Sequence, residues 1–276
     1  MRRHILIPTD FSANSWGSIG YGLKLFKDEE CVFYLLNAVL IKTSTLSNLS
    51  NKLLKTMQDN ALKELLEMKN LVENNNANAN HDFQIILSPQ DLKKAIKTAI
   101  KEWKIDLIIM GTKGATGAKE FFFGSNTVHV ITCINNCPIL IIPEDIDFVT
   151  PAQIAFPTDF NRFYDIKEIR PLTQLADLYN SKIRIVHINA EEKLNAIQEH
   201  NIMMLQSYLS DYEHSLHWMP KYAKKEAEIN DFIEELGINI LAMVKYKHSF
   251  IEKITKEPVI KKIGFHPIIP FLVIPE

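Results

Sequence analysis

At 276 residues, with 46% apolar and 23% charged residues, the chain has the balance of an ordinary globular protein and the length of about two domains. Lys and Arg number 31 against 33 Asp and Glu, a formal net charge of -2. That argues against a general binder of nucleic acid or anionic membrane, because neutralising either needs a concentrated positive field.

The apolar run Ile5-Leu6-Ile7 near the N-terminus is too short for a signal segment, and other apolar runs, such as Ile139 to Ile142, are strand-sized. The three cysteines, Cys31, Cys133 and Cys137, build no even disulfide framework and no zinc set. Reduced thiols and a cytoplasmic location are the expectation.

Taken in chain order, Ile5–Pro8 reads as a buried strand and Asn14–Phe26 as a helix opened by Ser12 or Asn14. Val32–Val39 is a strand, and Leu53–Leu71 a helix with its stripe at Leu54, Met57, Ala61, Leu65, Met68 and Leu71. The run Glu73 to Asn80, poor in apolar residues, is expected to be a flexible loop. Phe83–Leu87 is a strand, Asp91–Lys101 a helix, Leu107–Met110 a strand, Ser125–Ile134 a helix and Ile139–Ile142 a strand. Strands follow at Gln153–Phe156, Ile183–Ile188, Leu216–Met219, Ile240–Val244 and Phe271–Ile274. They alternate with helices near Ile166–Tyr179, Glu192–Tyr212 and Glu226–Leu236. Near-continuous Ile/Leu runs predict strands covered on both faces, as in a parallel sheet flanked by helices.

The two halves repeat one pattern. Ile5-Leu6-Ile7-Pro8-Thr9-Asp10-Phe11 recurs as Ile154-Ala155-Phe156-Pro157-Thr158-Asp159-Phe160, and Pro138 to Glu144 matches Pro270 to Glu276. Ile105 to Met110 matches Ile238 to Met243. Three matches in one order imply a duplication, with domains at 1–146 and 147–276.

A glycine-rich loop follows Met110. It fits neither the Walker A spacing nor Gly-x-Gly-x-x-Gly. Its own spacing is Gly111, two residues, Gly114, nine residues, Gly124-Ser125. Gly111 stands at the carboxyl edge of the sheet, where ligands of open parallel sheets lie. Glycines allow close backbone approach to a phosphate. Gly124-Ser125-Asn126-Thr127 opens a helix whose unpaired amides attract an anion, and the Ser125 and Thr127 hydroxyls add donors.

This loop, the Met-Gly-Thr start, the Cys-Pro-Ile-Leu-Ile-Ile strand after it and Ile-Pro-Thr-Asp-Phe-Ser at positions 7 to 12 resemble the universal stress protein family over nearly the whole chain. The resemblance implies two Rossmann-like (adenine nucleotide alpha hydrolase-like) α/β domains. Each would have a five-stranded parallel sheet with flanking helices, and the two would pair about a pseudo-twofold axis through their last strands. It implies an adenine nucleotide, ATP, as ligand, with Pro8, Thr9, Asp10 and Ala38 on the adenosine. Met110, Gly111 and Gly114 would line the ribose and phosphate side, and Gly124, Ser125, Asn126 and Thr127 would cradle the phosphates. Asp10 has two roles open to it, hydrogen-bonding the nucleoside or helping to hold a divalent ion such as Mg2+. Where members often have His-Val in the second strand, this chain has Asn37-Ala38.

The second copy departs from the pattern. Val244 stands where Gly111 was, Lys247 where Gly114 was, and Glu257-Pro258 where Gly124-Ser125 were. A β-branched side chain, a carboxylate and a proline each oppose phosphate binding there.

His214 and His217, with His200 upstream, make an incomplete metal set. Lys113, Lys119 and Phe121 to Phe123 lie in the glycine loop, His129 on the helix after it, and Lys93, Lys94, Lys97 and Lys101 form a basic helix face. No nucleophile has an adjacent base and no arginine flanks the loop, so no catalytic set is expected, slow ATP hydrolysis aside. The reading is a nucleotide-binding stress-response or regulatory protein with one site, in the first half, and a homodimer or protein partner as further options. The alternative is a scaffold acting through protein contacts alone. An adenylating ligase is disfavoured, because Thr9-Asp10-Phe11-Ser12 stands where its Ser-Gly-Gly-rich loop belongs.

Overall fold

Strand β1 (Arg3–Pro8) is the pivot of the first half: Ile5, Leu6 and Ile7 are fully buried, as expected of a strand with sheet neighbours on both sides and both faces covered. The computed structural model describes residues 2–40, 47–112, 124–188, 194–219, 232–246 and 268–276. It divides into two compact units, Met1–Asp145 and Ile146–Glu276.

In the first unit β1 is followed by α1 (Ala13–Leu25), β2 (Cys31–Ala38), α2 (Ser47–Asn75), β3 (His81–Ser88), α3 (Leu92–Trp103), β4 (Leu107–Gly111), α4 (Ser125–Cys133) and β5 (Ile139–Ile142). The strands lie in the order β3-β2-β1-β4-β5, and every pair is parallel. The chain runs outward from β1 through β2 to β3, then returns to place β4 on the other side of β1. A switch of direction of this kind leaves a crevice at the carboxyl ends of β1 and β4. Helix α1 packs on β4 closely enough that a Cβ on Gly22 would lie 3.0 Å from Ile109 Cδ1.

Ser12 is the cap of α1, its hydroxyl accepting the Ser15 amide at 3.3 Å. Asp91 caps α3 in the same way through the Lys94 amide at 3.0 Å. That bond holds the Asp91 carboxyl below its ordinary pKa.

Helix α2 is longer at both ends than the apolar stripe predicts, and it continues to Asn75, inside the run expected to be loose. The asparagines beyond it are bonded rather than free. Asn78 Nδ2 donates to the Lys27 carbonyl at 2.7 Å, and Asn76 Nδ2 lies 2.9 Å from Nδ1 of the buried His81. Side chains that can serve as local backbone partners have replaced apolar packing here, which hydrophobic patterning does not register.

The second unit repeats the plan with β6 (Gln153–Thr158), α5 (Ile166–Asp177), β7 (Lys182–Ile188), α6 (Ala196–Tyr208), β8 (His214–Met219), β9 (Ile240–Lys245) and β10 (Phe271–Pro275). The order β8-β7-β6-β9-β10 is the counterpart of the first, again parallel throughout. Helix α6 is shorter than the expected Glu192–Tyr212 because Asn195 and Gln198 close a capping box at its start. Glu192 and most of the helix expected at Glu226–Leu236 lie outside the described residues.

Cys31 and Cys137 are buried, and burial pushes both thiols up to about 12. In the unfolded chain a thiol ionises near about 8.5. Above that pH the unfolded state sheds protons that the folded state keeps, so stability falls as pH rises from about 8.5 towards 12. The urea midpoint at pH 10 is expected below that at pH 7.5. In the native protein the half-buried Cys133 is expected to react with a thiol reagent ahead of the other two.

Candidate functional site

At the carboxyl end of β1 the chain turns sharply. Phe11 has φ 64°, a left-handed conformation that costs a phenylalanine about 1–3 kcal/mol. Side chains hold the turn in place: Thr9 Oγ1 accepts the Phe11 amide at 3.0 Å, and Asp10 Oδ1 accepts the Ser12 amide at 3.2 Å and its hydroxyl at 2.6 Å. Thr9 Oγ1 also meets the Ser15 hydroxyl at 2.9 Å, tying the turn to the first residues of α1. Asp10 is left on the exposed rim.

Beyond this turn lies a cavity of about 130 Å³ at the switch of strand order. Pro8, Thr9 and Asp10 from β1 and its turn, Ala38 from β2, Met110 and Gly111 from β4, and Asn126 and Thr127 from α4 all line it. The fold therefore brings together eight of the eleven residues singled out from the sequence. Gly124 and Ser125 sit at the start of α4 beside those lining residues, and Gly114 lies outside the described residues, as do Lys113, Lys119 and Phe121 to Phe123. Three further residues line the cavity that patterning did not single out for it: Ser15, Asn37 and Leu92. Ser15 stands three residues after the Pro-Thr-Asp-Phe-Ser turn, the one signal that could have found it.

Gly111 is required on the protein's own account. A Cβ there would lie 2.7 Å from the Asn14 side chain, well inside contact distance. Helix α4 begins with no side-chain cap, which leaves the first amides of Ser125, Asn126 and Thr127 without intrahelical partners. They and the helix dipole make that end of the cavity favourable to negative charge.

The Thr127 hydroxyl does a different job from that expected. It is buried and donates to the Gly111 carbonyl at 2.9 Å and the Thr112 carbonyl at 3.3 Å, fastening the start of α4 to the end of β4. Thr127→Val removes both bonds without changing shape, and is expected to lower stability by about 1–3 kcal/mol in a urea titration.

Asn37 is also structural in part. Its Nδ2 donates to the Thr9 carbonyl at 2.8 Å. In the second unit His187 Nδ1 holds the matching Thr158 carbonyl at 3.0 Å, so an amide and an imidazole do the same work in the two copies.

The second unit keeps the turn but changes the residues at the strand end beside it. Phe160 repeats the positive φ at 56°, and Thr158 Oγ1 accepts its amide at 3.1 Å. The register pairs Ile5 with Leu107 and Ile154 with Ile240, so Met243 takes the place of Met110 and the buried Val244 that of Gly111. Just beyond, the Tyr246 hydroxyl donates to Asp159 Oδ1 at 3.3 Å. Burial, reinforced by the Asp159 carboxylate, pushes that phenol up to about 12. Arg162 lies between the rings of Tyr164 and Tyr246, 5.1 and 4.9 Å from their centroids, and pairs with Glu168 at 2.7 Å. Asp159 is thus held by the protein's own tyrosine. Lys247, Glu257 and Pro258 lie outside the described residues.

His217 Nε2 meets the Ser215 hydroxyl at 2.7 Å, and burial lowers its pKa. Among the described residues no group of three His, Cys, Asp or Glu side chains is placed to hold a metal ion. No helix among them is long and apolar enough to cross a membrane.

Residues 1–143 match the family described as universal stress protein family, which is more than half of the chain. The chain belongs to the universal stress protein family. A solved universal stress protein from Archaeoglobus fulgidus DSM 4304 is similar over 99% of this chain and 96% of its own, with 17% sequence identity and a TM-score of 0.70. A Pseudomonas aeruginosa UCBPP-PA14 protein named as a universal stress protein is similar over 99% of this chain and 93% of its own, at 13% identity and a TM-score of 0.57. At such identities the likeness establishes the fold of this family member. A comparison with curated protein sequences finds no significant match.

Proposed function

We propose that the first unit of this universal stress protein binds an adenine nucleotide, ATP with or without Mg2+, and that the second does not. The observation that carries the reading is the convergence of Asp10, Ala38, Gly111 and the uncapped start of α4 on one cavity at the switch of strand order. Ligands of open parallel sheets lie there, and phosphates favour such a helix start. The counterpart crevice, with Val244 at the place of Gly111 and Tyr246 bonded to Asp159, supports a second unit that is structural or binds a protein partner.

Among the described residues lining the cavity, none pairs a nucleophile with a basic side chain. The output of binding is therefore conformational, in a regulatory or stress-response role, rather than rapid chemistry. Calorimetric titration of the whole protein with ATP and magnesium tests this. Saturable binding near one site per chain is expected in the wild type. Its loss is expected in Gly124→Glu, which sets a carboxylate at the start of α4 where the backbone (φ -58°) accepts any residue. A wild type that takes up no ATP would instead favour a scaffold acting through protein contacts.

A further inference from the structure

Away from its crevice, the second unit carries a line of polar side chains across one face of its sheet. Arg184 on β7 pairs with Ser215 on β8 in the register, and His217 stands two residues further along β8, so all three share that face. Gln153 on β6 accepts from Arg184 Nε at 2.6 Å, and Ser215 Oγ accepts from Arg184 Nη1 at 2.6 Å. The same Oγ lies 2.7 Å from His217 Nε2. In the sequence Ser215-Leu216-His217 reads as ordinary strand alternation, and only the pleat makes the serine and the histidine neighbours. The first unit has Tyr34, Gln84 and Ile86 at the matching register positions. Its Tyr34 is engaged instead with His4 Nδ1 at 3.0 Å and the Trp103 ring at 5.4 Å.

A guanidinium can only donate, so one lone pair of Ser215 Oγ is taken by Arg184. A second donation onto that oxygen would bring the Nε2 proton up against the cation. The contact is best satisfied with the hydroxyl hydrogen directed at Nε2 and the ring proton on Nδ1. Burial, and after it the charge of Arg184, lowers the His217 pKa, so the ring is neutral and able to accept a proton at neutral pH. Among the described residues, the groups named against His217 are Ser215 on its own strand, Arg184 on β7 and the ring of Phe232, 5.6 Å away. Ser215, His217 and Arg184 are all half-buried, on and beside the outermost strand of the second unit, where a small molecule can approach.

We infer that Ser215 is a nucleophile that takes an acyl group from a small anionic acyl donor of the acyl phosphate class, with His217 as its base and Arg184 as the charge that attracts the donor. Oγ attacks the acyl carbon and forms the ester bond. The bond from that carbon to the phosphate oxygen breaks, and phosphate leaves with the electron pair. The hydroxyl proton passes to His217 Nε2 and from there to solvent. Negative charge on the carbonyl oxygen develops beside the guanidinium that already touches Oγ.

The test is incubation of the whole protein with acetyl phosphate, with acetylation of each serine followed by peptide mass spectrometry. Ser215 is expected to react about 100-fold or more faster than the exposed Ser210. His217→Gln, whose side-chain carbonyl can take the hydrogen bond but not the proton, is expected to bring Ser215 down to the rate of Ser210. In the wild type the rate is expected to rise with pH as His217 loses its proton, and to level off around a midpoint below the ordinary histidine value of about 6.5. Should His217→Gln not fold, that profile decides: a rate that levels off there supports the inference, and one that keeps rising with hydroxide overturns it. Acetylation of Ser215 no faster than that of Ser210 overturns it as well, as does a rate unchanged in His217→Gln.

Discussion

Gly111→Val is expected to abolish ATP binding by the first unit and to lower its stability by about 1–3 kcal/mol. The added Cβ alone falls 2.7 Å from the Asn14 side chain, and two further methyl groups enter the space beside it. Either Asn14 moves, dragging the start of α1 and the Thr9–Ser15 contact with it, or the end of β4 backs away from the cavity. Both routes shift groups that line the site. The substitution copies the second unit, where Val244 occupies the same position in the sheet. A companion change, Asn14→Ala, separates the two effects. With the clash relieved, Gly111→Val in that background is expected to recover stability in urea while its calorimetric titration with ATP stays flat, because the valine side chain still occupies the approach to the strand end.

Phe33→Ala carries the largest stability effect, a loss of about 3–5 kcal/mol. Phe33 is fully buried in β2, its ring stacked on Phe83 at 5.6 Å and edge-on to His81 at 4.9 Å. Its neighbours are fixed by the sheet register, so the space cannot collapse. A loss of that size is a large fraction of the about 5–15 kcal/mol that holds a typical domain together. In a urea titration the midpoint is expected to fall sharply. Saturating ATP is expected to restore part of it, about 2.7 kcal/mol when the free ligand is 100 times its dissociation constant. Phe33 does not line the cavity, so the folded fraction is expected to keep wild-type affinity. Restoration by ATP in Phe33→Ala and none in Gly111→Val distinguishes a damaged core from a damaged site.

Much of this molecule is written in short, local patterns. Short Ile-rich runs between turn residues announce buried parallel strands, since their length, their β-branched side chains and the flanking Pro and Asp residues favour a strand over a buried helix segment. The repeat of Pro-Thr-Asp-Phe marks the turn after the first strand of each half, and a positive φ at both phenylalanines confirms that the same residues make the same turn twice. The substitution of Val244 for Gly111 was equally legible, because a one-residue comparison at an aligned strand end needs no coordinates. What the periodicity misread was the asparagine run after α2 and the start of α6, where polar side chains, rather than apolar faces, decide where the backbone stops.

Residue types and their order, by themselves, determined two duplicated α/β halves, the strand ends at which a ligand would sit, and the copy whose glycines survive, because these follow from burial and backbone freedom along the chain. Only the tertiary structure decided what each polar group at that place is used for. Thr127 holds α4 to β4, Asn14 makes Gly111 obligatory, Tyr246 holds Asp159, and Asn37 turns its amide to the Thr9 carbonyl. Each of those partners comes from a different segment of chain, and a hydrogen bond's direction is set by whichever group the fold brings within about 3 Å of it.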